Sequence, residues 1–155
     1  MKGDKELIKK MNVLLTAELT AIDFYFVHSR VLEDMGYNQL YEQFLHEMTD
    51  EQGHATKIIQ RMIFLNGTPE VGQRLPFSVT KDVVKIFEDD LKAEHHVREL
   101  LIDCIDHCMK IKDFVSMEVL EPLLADTEED HIDWLETQLE LIKEIGLQNY
   151  LAEKI

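Results

Sequence analysis

Two short segments of the chain could bind a metal ion: Glu51-x-x-His54 and Glu128-x-x-His131. At i, i+3 on a helix, a carboxylate and an imidazole share one face and can reach the same ion. The motif alone recurs by chance in a chain this rich in Glu and His, so spacing is the stronger sign. Glu18 precedes Glu51 by 33 residues and Glu94 precedes Glu128 by 34. The midpoints fall near residues 35 and 111, beside the independent turn signals Gly36 and Lys112-Asp113. Residues equidistant from the turn of an antiparallel hairpin stand level. Each hairpin therefore sets one Glu opposite one Glu-x-x-His, and the chain reads as a two-fold repeat. Four carboxylates and two imidazoles make a two-metal site of hard oxygen donors with one nitrogen per ion.

The elements that must position these groups are long helices. Apolar residues recur at alternating spacings of three and four, as in Leu7, Met11, Leu14, Ala21 and Tyr25. Each such stripe is broken at its middle by acid. Glu18 lies between Leu14 and Ala21; Glu47, Glu51 and His54 between Phe44 and Ile58; Asp90 and Glu94 between Phe87 and Val97; Glu128 and His131 between Leu124 and Leu135. A bare carboxylate in a helix-bundle core is costly unless it is paired or metal-bound. Buried salt bridges are the other reading, but no Lys or Arg lies on the inward stripes at this height.

Breakers divide the chain into helices at about 4–35, 39–66, 81–111 and 114–145, with a short one at 148–153, all within a single domain over 1–155. Asn38 is placed to cap the second helix, Ser78 or Thr80 to open the third, and Asp113 to cap the fourth. Pro122 should kink the fourth helix or delay its regular start. The turns near Gly36 and Lys112 are tight, but Gly67 to Val79 is long. Extended at ~3.3 Å per residue it reaches roughly 40 Å, the length of a bundle. The expected fold is all-α: two antiparallel hairpins joined by a long crossover, which is ferritin-like connectivity.

Composition excludes other classes. Sixteen Lys+Arg against 31 Asp+Glu give a formal net charge of −15, which argues against nucleic-acid binding, a function that rests on clustered cations. The longest apolar runs are too short to span a bilayer, so no membrane partner is expected. The charged first ten residues carry no signal-peptide pattern, and a cytoplasmic location is expected. Cys104 and Cys108 fall on the inward stripe of the third helix and read as buried thiols.

With these residues in view, the chain strongly resembles a bacterioferritin, essentially end to end. The resemblance rests on Asn12-x-Leu14-Leu15-x-x-Glu18-Leu19, Tyr25-Phe26-x-His28-x-Arg30 and His46-Glu47-x-x-Asp50-Glu51-x-x-His54-Ala55. It also rests on Glu128-Glu129-x-His131-Ile132-Asp133-Trp134 and Gly146-Leu147-Gln148-Asn149-Tyr150. It implies a cage of 24 subunits that takes up Fe(II), oxidises it with O2 or H2O2 and stores ferric mineral. It also implies two irons per subunit and a ferredoxin-type reductant for iron release. By the same resemblance Glu51 and Glu128 bridge the two irons, Glu18 with His54 and Glu94 with His131 complete them, and Tyr25 stands just outside. His46 and Asp50 match positions that hold a further iron on the cavity wall.

One position departs from the family. Bacterioferritin haem is held between two subunits by a Met from each, at the position that is Gln52 here. An amide oxygen is a poor substitute for thioether ligation, and Met48, one turn earlier, is a weak candidate. The expectation is no haem b in the homo-oligomer, with mixed cages formed alongside a Met-bearing paralogue still open. The functional alternatives at this stage are a di-iron oxygenase or peroxidase on the same bundle, and a metal-free helical binding module.

Overall fold

The computed structural model describes residues 1–155, and every element in it is helical. Helix α1 spans Lys5–Asp34, α2 Asn38–Phe64 and α3 Val83–Ile111. The fourth long rod is composite: α4 (Phe114–Asp126), a π-helical turn (Thr127–Ile132) and α5 (Asp133–Ile145). A short α6 (Leu147–Ala152) follows Gly146. The fold is an all-α ferritin-like four-helix bundle with a short C-terminal helix. Helix α1 packs against α2 and α3, and the composite rod against α3 and α2, so α1/α3 and α2/α4 form opposite faces.

Local chemistry sets the ends. Asp4, Asp82 and Asp113 each cap a helix by accepting from a backbone N–H three residues on. The third helix thus opens on Asp82 rather than on Ser78 or Thr80; Thr80 instead accepts the Asp82 N–H through its hydroxyl. Tyr37, not Asn38, is the N-cap of α2, and it makes no side-chain cap bond. Gly36 and Gly146 adopt φ of 86° and 83°, conformations open to glycine at no steric cost.

The crossover between α2 and α3 is irregular backbone clasped to α1 by three polar residues spaced eight apart. Asn12 accepts from Glu70 N–H at 2.8 Å and donates to the Thr68 carbonyl at 3.1 Å. Thr20 accepts from Leu75 N–H at 2.9 Å, and His28 Nε2 accepts from Thr80 N–H at 3.3 Å. Each step of eight advances about 80° beyond two full turns, so the three residues follow a diagonal across α1 and satisfy a strap that lacks its own ladder.

The core is two apolar clusters rather than one. The first gathers Leu7, Met11, Leu14, Ile58, Met62, Leu101 and their neighbours. The second gathers Phe24, Tyr25, Phe44, Phe87 and Tyr150 with theirs. Between them lies a buried polar layer, at the height where the four stripes break.

Candidate metal centre

Into this layer α1 sends Glu18, α2 sends Glu47, Glu51 and His54, α3 sends Asp90 and Glu94, and the π turn sends His131. All seven are buried, none more than 5% exposed. Five of them form two donor groups that share one residue: Glu18, Glu51 and His54, and Glu51, Glu94 and His131, with the ligand atoms of each group mutually within 4.8 Å. His54 Nδ1 lies 3.2 Å from Glu18 and 3.6 Å from Glu51. His131 Nδ1 lies 2.9 Å from Glu51 and 3.3 Å from Glu94. The two rings stack at 5.6 Å between centroids, 11° from parallel. Glu51 therefore stands between the groups, as a bridge must.

Tyr25 donates to Glu94 Oε1 at 2.9 Å from inside the second cluster. Its hydroxyl fixes the carboxylate that faces His131. Gln52 is exposed, and Met48 is part-buried against the second cluster. His46 is exposed, with Nε2 3.4 Å from Asp50. With Glu47 and Asp130 these two make a further donor group, and Asp50, Asp126, Asp130 and His131 make another. An acidic row thus runs along the α2/α4 face from the surface to the buried layer.

Glu128 does not join the buried groups. Its carboxylate pairs with Arg98 of α3, both side chains about two-fifths exposed. A cation thus reaches the acidic layer after all, from the rim rather than from an inward stripe. The π turn is the physical reason. The Asp133 N–H reaches back five residues to the Glu128 carbonyl, and this wider winding rotates i and i+3 apart while bringing i and i+5 together. Asp126, five residues before His131, takes the inward place: its Oδ2 lies 2.6 Å from His54 Nε2 and 3.6 Å from His131 Nε2. Sequence reasoning missed Asp126 because α-helical spacing turns it away. The sole local hint is Pro122, one turn upstream, which the winding of a regular helix cannot accommodate without losing a hydrogen bond.

The electrostatics are those of a site built for cations. Burial, then Glu18 and Glu94, push the Glu51 carboxyl well above the usual range; burial and Glu94 do the same to Asp90. Burial would also raise Glu18, but hydrogen bonds with Glu51 and His54 hold it lower. Burial opposes charge on His131, yet Glu47, Glu51 and Glu94 raise its pKa far above the ordinary imidazole value. Several oxygens still lack an aligned hydrogen bond: Glu18 Oε1, both Glu51 oxygens, Glu94 Oε2 and Asp90 Oδ2. Buried oxygens are seldom left so. Hard oxygen donors with one imidazole per group suit Fe(II) or Mn(II) better than soft-ligand metals.

Fold and site together define a ferritin-like domain, and the family model of that description matches residues 8–145. A bacterial ferritin from Pseudomonas aeruginosa is 48% identical over 155 residues, covering all of both chains. One from Synechocystis is 43% identical over 155 residues, covering all of this chain and 99% of its own. A bacterioferritin from Brucella melitensis is 39% identical over 150 residues, 97% of this chain and 92% of its own. The chain belongs to the bacterioferritin family.

Proposed function

We propose that the protein stores iron and that each subunit oxidises Fe(II) at the buried acidic layer before the ferric product joins a mineral core. The observation that carries this reading is the pair of donor groups sharing Glu51. Two Fe(II) ions are the substrate, one held by Glu18, Glu51 and His54, the other by Glu51, Glu94 and His131. Glu128 leaves Arg98 and becomes the second bridge when the ions neutralise the layer. Each Fe(II) gives one electron; O2 with two protons becomes H2O2, or H2O2 with two protons becomes two waters.

The chain's own part is to hold both ions within reach of one oxidant molecule and to exclude competing reactions. Imidazolium at His54 and His131 gives way to neutral, ligating imidazole as the ions enter, so uptake releases protons. The acidic row of Glu47, Asp50, Asp126 and Asp130, with His46, draws cations toward the site. The assembly is a cage of 24 subunits, a homo-oligomer or one shared with a Met-bearing paralogue, and a ferredoxin-type reductant returns the iron. Gln52 leaves the homo-oligomer without haem. No helix is long and apolar enough to cross a membrane, in keeping with a cytoplasmic store.

An anaerobic Fe(II) titration of metal-free protein, with each point then exposed to air and followed in the near-UV, tests this. The expected result is a fast phase saturating at two irons per subunit, then slower uptake far beyond it. Saturation without further uptake would remove the storage role and favour an oxygenase or peroxidase. The absence of any fast phase would remove the two-iron site.

A further inference from the structure

The two buried imidazoles turn their two nitrogens to different carboxylates. Both Nδ1 atoms face the donor groups: that of His54 lies 3.2 Å from Glu18, and that of His131 lies 2.9 Å from Glu51. Both Nε2 atoms face carboxylates outside those two groups. Asp126 Oδ2 alone comes within 4.0 Å of both, at 2.6 Å from His54 Nε2 and 3.6 Å from His131 Nε2. The two contacts are not equivalent. Asp126 and His54 meet as an aligned hydrogen bond. His131 Nε2 has no aligned partner, because its 2.9 Å neighbour Glu47 Oε2 stands off the N–H direction.

The π turn puts Asp126 there. Its winding brings residues five apart together, so Asp126 comes level with His131. The His54 ring, stacked on that of His131 and 11° from parallel, then falls within the same reach. Thr127, wholly buried, secures the start of the turn by donating to the Leu123 carbonyl at 2.8 Å. An imidazole that gives Nδ1 to an ion keeps its one proton on Nε2. A carboxylate that accepts this N–H fixes the ring plane and the tautomer and makes Nδ1 a stronger donor.

We propose that Asp126 is a positioning residue for the two-iron centre: it accepts the Nε2 proton of His54, holds Nδ1 toward Glu18 and Glu51, and selectively strengthens the ion site that includes His54. Asp126 acts through the imidazole and is not a ligand of that ion. His131 lacks an aligned acceptor and does not share this support, so the two ion sites differ in strength. The inference rests on the two-iron reading above. It differs from the part Asp126 plays in the acidic row, because attraction by charge disappears with the charge, whichever side chain replaces it. A hydrogen bond survives in any side chain that keeps the acceptor oxygen.

The test is an anaerobic Co(II) titration of the assembled, metal-free protein, followed by visible absorbance, with sedimentation to confirm the particle. Wild type is expected to bind two Co(II) per subunit. Asp126→Ala should weaken one of the two ions about 10–100-fold, shift the visible bands of that ion, and leave the other within about threefold. Asp126→Asn loses the charge but keeps an acceptor oxygen, and should restore the bands and most of the affinity. Glu129→Gln, which removes one charge from the exposed side of the same turn, should match wild type. A merely structural role in the turn would weaken both ions together. Equal weakening of both ions in Asp126→Ala, or an Asp126→Asn variant as weak as Asp126→Ala, would overturn the proposal. Fewer than two Co(II) per subunit in wild type would remove the two-iron reading itself. Two bound Co(II) with all variants alike would remove only the role of Asp126.

Discussion

At the scale of single residues, Glu51 does what no other side chain in the layer does, because both donor groups include it. Of the two groups that share it, one adds Glu18 and His54 and the other Glu94 and His131. Loss of a ligand from either group should therefore spoil a two-electron reaction that needs both ions. Glu18→Ala or His131→Ala is expected to slow initial Fe(II) oxidation by about 10–100-fold with the particle still assembled. Stopped-flow rates beside sedimentation profiles check this, and unchanged rates in both variants would refute the ligand assignment. The two cysteines belong to packing instead. Burial, before any nearby charge, pushes the Cys104 thiol up to about 12 and the Cys108 thiol up to about 11. Neither is a thiolate at neutral pH, so neither is a nucleophile or a ready metal ligand.

Among the elements, the composite fourth rod shows how a local choice reaches the site. Asp113 caps its start, accepting from Ser116 N–H at 3.0 Å and pairing with Arg61 of α2 at 3.2 Å. Burial favours the protonated acid, but the bonds from Ser116 and the Arg61 guanidinium outweigh it and hold the Asp113 pKa below the usual carboxylate range. A depressed folded pKa stabilises above the unfolded value of roughly 3.9 and loses that stability as pH falls through the folded value. Asp113→Ala is therefore expected to cost about 1 kcal/mol at neutral pH. The difference from wild type should shrink below pH ~4, as read by thermal or urea unfolding at both pH values. A constant difference would mean that the cap's charge contributes nothing. Farther along the same rod, the π turn exchanges Glu128 for Asp126 at the inner face. Glu128 is thereby left where Arg98 can hold it.

For the whole molecule, the apolar surface argues for assembly. Phe64, Ile111, Phe114 and Val115 are all more than a third exposed and line one depression at the end of the bundle. Exposed apolar side chains grouped in this way, among Lys2, Asp4, Arg61 and Lys112, suit a contact with a like subunit in the proposed cage. Haem would be a property of that assembly, held across a two-fold axis, and Gln52 offers it an amide in place of a thioether. Reconstitution with haem, followed by a Soret titration, is expected to show no tight stoichiometric binding. One tightly bound haem per two subunits would sink this prediction and direct attention to Met48.

The sequence by itself determined the four rods, the tight and long connections and the level at which acid interrupts the core. These follow from hydrophobic period, capping chemistry and equal spacing about a turn, all of which are local or nearly so. It determined Glu18, Glu51, His54, Glu94 and His131 as inward groups for the same reason: each breaks an apolar stripe at a position the α-helical period assigns to the core. Tertiary structure decided what that period cannot express. The π turn, i→i+5 winding rather than i→i+4, turned Glu128 toward Arg98 and Asp126 toward the imidazoles. The packing of the strap over α1 and α3 enclosed a cavity that no single segment contains. Asn12, Thr20 and His28 lie eight apart in the sequence, but the backbone groups they satisfy come from 52 to 58 residues farther along the chain. Their meaning depends on where the chain returns, and spacing along one helix says nothing of that.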